Sequence, residues 1–182
     1  MDSSERPVRT FVAMRHITLL LAAFVFASLA IACSGGQRII SSHGVQVAVP
    51  RDWQQIRAAR VRPPVSDPRT LVVVGTAGAR PKASRCEISA YRLPPTGAVV
   101  VVVGWKRLAL SGAQSQEPGR WPLGKLSAVQ RPSFECFGGR GAAATLVLGR
   151  KAYQVNVLVG DRASKRRVAQ SLEVARSFAL AH

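Results

Sequence analysis

The chain has 182 residues, with 26 Lys and Arg against 9 Asp and Glu, a net charge of +17, and three residues each of Cys, His and Trp. That length suits one domain plus a targeting segment. Nine acids and three scattered His leave little material for a metal centre or for a site that trades protons near neutral pH.

The targeting segment comes first. "HITLLLAAFVFASLAIAC" runs uncharged from His16 to Cys33, behind Arg6, Arg9 and Arg15. A 16-residue apolar core is short for a membrane span and matches the h-region of a signal peptide, so residues 1–32 are expected to be removed on export. Met14 also opens a complete export signal and is an alternative start. Ala30-Ile31-Ala32 offers a site to an ordinary signal peptidase. Leu29-Ala30-Ile31-Ala32-Cys33 also resembles a bacterial lipobox, in which Cys33 carries a diacylglycerol and becomes the new N-terminus. The small residues Ser34-Gly35-Gly36 that follow favour the lipid, and two acyl chains suffice for stable membrane attachment. Residues 33–43 then read as a lipid-anchored tether and 44–182 as a single domain, outside the cell membrane. Simple secretion is the alternative.

"GVQVAVP", residues 44–50, places Val45, Val47 and Val49 on one face of a strand that Pro50 ends. Trp53 is positioned to fold back onto the sheet. Residues 60–68 are a Pro-rich connection, 70–75 a buried strand and 75–84 a loop. The alternation in "RCEISAYRL", 85–93, predicts a strand, and the β-branched run "GAVVVVVGW", 97–105, predicts one covered on both faces. Residues 111–133 form a long polar excursion containing Trp121. Residues 142–149 and 151–160 read as a hairpin, with Tyr153, Val155, Val157 and Val159 on one face. Residues 161–178 predict a helix capped by Asp161 or Ser164, with Val168, Leu172 and Ala175 at helical spacing, and "FALA" adds a last short strand. Strands followed by one terminal helix predict an α+β fold, a mainly antiparallel sheet packed by a C-terminal helix.

Leu93-Pro94-Pro95-Thr96-Gly97 has the form of a sortase sorting signal. Only eight apolar residues follow, Ala98 to Trp105, and some 75 residues come after Arg107. A sorting signal needs a spanning stretch of about 20 apolar residues at the C-terminus, so this one reads as a tight turn into a buried strand.

Three cysteines are odd in number, and setting Cys33 aside leaves Cys86 and Cys136. In an oxidising compartment these two are expected to form a structural disulfide, worth roughly 4 kcal/mol on the chain-entropy model. Residues 1–32 hold three Arg and two acids, so the mature part keeps 23 basic and 7 acidic residues. In the cytosol such an excess suggests nucleic acid. Beyond the membrane the available polyanions are lipid head groups and wall polymers, and no nucleic-acid partner is expected. Scattered Arg in an Ala-, Gly- and Val-rich chain also reads as the bias of a G+C-rich genome. The densest cluster, Lys165-Arg166-Arg167, is a candidate anion contact or a solvated face. Trp121, between Arg120 and Pro122, is a candidate recognition aromatic.

No HExxH, His pair or His/Cys cluster is present, so no metal or cofactor is expected. "GTAGAR", 75–80, lacks the GK[ST] ending of a phosphate loop, and no GxSxG elbow occurs. No catalytic residue is assigned. A carboxylate pair of Glu87 with Glu135 is the one hydrolase arrangement that the predicted disulfide would permit. "VQVAVPRDW", "AYQVNVLVG" and the closing "AQSLEVARSF" resemble the pattern of small exported or lipid-anchored actinobacterial domains, similar in outline to the PsbP/Mog1-like fold. The resemblance implies an antiparallel sheet packed by the last helix and a non-catalytic binding or accessory role, with no catalytic residue to carry over.

Overall fold

The computed structural model describes residues 36–61, 67–105, 129, 137–148 and 151–181. Residues 36–182 form one compact unit. That unit is α+β, with mainly antiparallel sheets and one C-terminal helix. Among the described residues no helix is long and apolar enough to cross a membrane.

Within the segment read as a tether, residues 38–42 belong to a sheet. Strand β1 (Arg38–Ser42) pairs antiparallel with β2 (Val45–Val49), Ser42 opposite Val45. Two residues close the hairpin, His43 at φ 50° and Gly44 at φ 77°, the two positive angles a type I′ turn requires. Only Ile40 of β1 is buried, so this strand carries no apolar alternation to reveal it. In β2 the alternation is complete: Val45, Val47 and Val49 are buried and Gln46 and Ala48 are not.

Strand β3 (Trp53–Gln55), β4 (Arg69–Thr76), β7 (Ala98–Trp105), β8 (Arg140–Leu148) and β9 (Lys151–Val159) form the main sheet in the order β3-β4-β7-β9-β8. β7 lies at its centre, and its apolar run is buried on both faces as its composition requires. The β8–β9 hairpin forms as expected, Leu148 opposite Lys151. On one face of the sheet Val72, Val74, Val100, Val102, Val155 and Val157 pack against β2, Trp53 and the helix α1 (Lys165–Arg176). On the other, Val73, Val99, Val101 and Leu158 meet Ile56, Ile88, Ala90 and Tyr91.

The predicted strand at 85–93 is corrected. Only Tyr91–Arg92 is extended, as β6 against β5 (Arg80–Pro81), and residues 85–89 are bends and a turn. The physical cause lies in two serines: Ser84 Oγ stands 2.7 Å from Ser89 Oγ and accepts the Cys86 N–H at 3.1 Å. Such local side-chain bonds compete with a ladder.

The Pro94–Gly97 turn closes through Gly97 N–H donating to Pro94 O at 2.9 Å. Gly160 packs onto it, its N–H donating to Gly97 O at 2.9 Å, while Arg162 N–H donates to Pro95 O at 2.8 Å. Ser164 caps α1, its side chain accepting the Arg167 N–H. Past the helix, Phe178 sets its ring 5.5 Å from that of Tyr153, and β10 (Ala179–Leu180) adds to β2. Ser177 Oγ fastens this end to Ala48, accepting its N–H at 2.8 Å and donating to its O at 3.2 Å.

Candidate functional site

Antiparallel pairing brings the start of β4, the end of β7 and the start of β9 to one end of the main sheet. Arg69 lies opposite Gly104, and Gly104 opposite Tyr153. The three form one row across the strands, on the face that packs against β2 and α1. At the middle of the row there is no side chain. A Cβ on Gly104 would stand 2.6 Å from Leu71 Cδ1, so the Leu71 side chain lies over the bare backbone at this position. The result is a cleft of about 200 Å³ lined by His43, Arg69, Leu71, Gly104, Trp105, Lys151 and Tyr153.

The β4–β7 register slips between Thr70 and Val72, which takes Leu71 out of the ladder. His43, at the tip of the β1–β2 turn, meets the freed carbonyl: Nδ1 is 2.9 Å from Leu71 O and 2.8 Å from Ser42 Oγ. A carbonyl oxygen only accepts, so Nδ1 carries a proton and Nε2 is the ring's remaining polar atom. This bond ties the hairpin to the main sheet and holds the imidazole at the rim of the cleft.

The charged lining is of one sign. Arg69 and Lys151 are exposed, and neither makes an ion pair or hydrogen bond among the described residues. Burial pushes the Tyr153 phenol above its usual 10, so it stays neutral and able to donate at physiological pH. Trp105 is half-buried and packs against the opposite face of the sheet, so Tyr153 is the aromatic on the cleft's own face. The arrangement offers cationic donors beside an apolar, aromatic surface.

Of the residues singled out in the sequence, Cys33, Trp121, Glu135 and Cys136 lie outside the described residues. Cys86 is half-buried, and no complete cysteine pair lies within the described residues. Glu87 is half-exposed in the bend at 85–89. Lys165 and Arg166 are exposed in the first turn of α1. Arg167 is engaged within the fold. Its Nη1 stands 2.9 Å from Asp52 Oδ2 and also donates to Gln170 Oε1, which in turn accepts from Trp53 Nε1 at 3.2 Å. This chain of bonds docks the helix start against the turn after β2. Among the described residues no group of three or more His, Cys, Asp and Glu has the proximity to hold a metal.

His43, Arg69 and Lys151 were not candidates on the sequence. Each is a single basic residue at the edge of an element, and only the strand order brings them together. No protein-family model matches the chain, and no curated protein is similar to it.

Proposed function

We propose that the chain is a lipid-anchored protein of the cell envelope, a non-catalytic binding or accessory module carried outside the membrane on Cys33. The observation that carries the binding role is the basic, aromatic-walled cleft at the end of the main sheet. Its ligand class is anionic, an anionic lipid or wall polymer being the polyanions at hand beyond the membrane. Support for the location comes from the uncharged run ending in Leu29–Cys33 and the positive residues before it. The resemblance to small exported actinobacterial domains of PsbP/Mog1-like outline agrees with this reading.

A Cys86–Cys136 disulfide is part of the proposal, supported by the pair of cysteines left once Cys33 is set aside. It ties the segment at 84–89 to the stretch leading into β8. A non-reduced digest is expected to yield the two linked peptides, and free thiols at both positions refute the pairing.

The decisive experiment is fractionation of host cells producing the wild type and Cys33→Ser. Wild-type protein in the membrane fraction, with the variant released, is the expected result. Unchanged membrane retention of Cys33→Ser refutes the anchor.

A further inference from the structure

We infer that the cleft is an oxoanion site: Arg69 and Lys151 grip a phosphate-type group between them, and Leu71 with Tyr153 lines the apolar part that carries it. This deepens the binding-module reading and rests on it. Arg69 and Tyr153 flank Gly104 on neighbouring strands, which at about 4.8 Å per strand sets their Cα atoms roughly 10 Å apart. Lys151 stands two residues before Tyr153, roughly 6.6 Å along the strand. Arg69 and Lys151 are therefore about 12 Å apart at Cα by those spacings, and two long side chains can meet on a single anion between them.

Four observations point the same way. Leu71 closes over the bare backbone of Gly104 and gives the site an apolar floor beside the two cations. Among the described residues no carboxylate lines the cleft to neutralise either cation. His43 is fixed at the rim through Nδ1 with Nε2 unused by that bond. The volume, about 200 Å³, is below that of pockets that enclose a whole cofactor and suits a head group. The start of α1 competes with this site as an anion contact. There Arg167 is committed to Asp52, which leaves the two exposed cations Lys165 and Arg166.

The test uses the full-length protein at low salt, in non-ionic detergent for calorimetry and with the detergent removed before flotation. Inorganic phosphate is titrated by calorimetry, and the protein is floated with vesicles of phosphatidylglycerol in phosphatidylcholine or of phosphatidylcholine alone. Saturable binding of phosphate, of the phosphatidylglycerol vesicles, or of both is expected. Arg69→Gln or Lys151→Gln should weaken it by about tenfold or more, as loss of a charge-assisted bond does. Binding of vesicles without free phosphate assigns the group to a lipid; binding of phosphate without vesicles assigns it to a soluble ester. Lys165→Gln/Arg166→Gln removes two cations elsewhere and should leave binding within about twofold, since exposed charges act weakly at a distance through salt. Absence of saturation with both probes overturns the site. So does equal weakening by the α1 variant, which would mark diffuse attraction to a chain of net charge +17. Fractionation of Cys33→Ser reads the anchor separately, so a failed ligand and a failed location are told apart.

Discussion

Gly160→Ala is the substitution the fold should tolerate least. The new Cβ would stand 2.2 Å from Pro95 O and 2.3 Å from Pro94 O, both backbone atoms. An ordinary carbon–oxygen contact is about 3.3 Å, so the turn and the strand end must part by about 1 Å. The turn at Pro94–Gly97 is closed by its own hydrogen bond and cannot yield as a side chain does. Overpacking of this kind costs about 1–3 kcal/mol. Parting the segments also weakens Gly160 N–H to Gly97 O and Arg162 N–H to Pro95 O, at about 0.5–1.5 kcal/mol each. Together these give about 4 kcal/mol, a large share of the 5–15 kcal/mol typical of a domain. For a domain of this size that corresponds to a fall in Tm of about 8–16 °C. Gly44→Ala is the control, because Gly44 has φ 77° with nothing within 4 Å of the new atom. Its cost is conformational alone, about 1 kcal/mol. Urea unfolding of the two variants beside the wild type measures both. A Gly160→Ala loss under 1 kcal/mol, or a larger loss for Gly44→Ala, refutes the close-approach argument.

Three further predictions follow from burial and charge. Replacing Lys165 and Arg166 by Glu removes two cations from the positive end of α1, whose first turn carries no acid, and should raise stability by about 0.3–1 kcal/mol each at low salt; a lower Tm refutes it. Asn156 is fully buried with Oδ1 unbonded while Nδ2 donates to Val101 O at 3.3 Å, so Asn156→Val should be neutral or stabilise by up to about 2 kcal/mol. A loss above about 1 kcal/mol in urea unfolding would mean that the amide is satisfied. Burial raises the phenols of Tyr91 and Tyr153, the chain's two tyrosines, above 10. The unfolded chain therefore releases these protons first, and stability present below pH 10 should decline as pH rises through it. Tyrosinate absorbance appearing near pH 10 with no loss of Tm would contradict this.

The elements that sequence could identify are those whose pattern is dictated by a covered face. Val45, Val47 and Val49 alternate because β2 has one dry side, and the run at 98–103 does not alternate because β7 has two. The helix was legible from Ser164 and from Leu172 and Ala175. β1 escaped because one buried residue, Ile40, gives no period, and because His43-Gly44 is a weak hairpin signal beside Asn-Gly. The false strand at 85–89 shows the opposite failure: Cys86 and Ile88 alternate with polar residues, yet Ser84 and Ser89 bind locally and bend the chain. The cleft was illegible for a different reason. Nothing in the local sequence tells Arg69 and Lys151 from other surface cations, since their proximity depends on β4, β7 and β9 being neighbours in that order.

The bond between Ala48 and Ser177 spans 129 residues, and β10 completes the small sheet only at Ala179–Leu180. A chain that emerges N-terminus first therefore exposes Val45, Val47 and Val49 without a lasting cover until residues 165–180 are free. The hairpin can form early, but its apolar side waits for Phe178 and the helix. Assembly of the layer is thus deferred until those residues have emerged. The same dependence makes Ser177 and β10 a latch, and a chain cut before Ser177 would leave the first hairpin without its third strand.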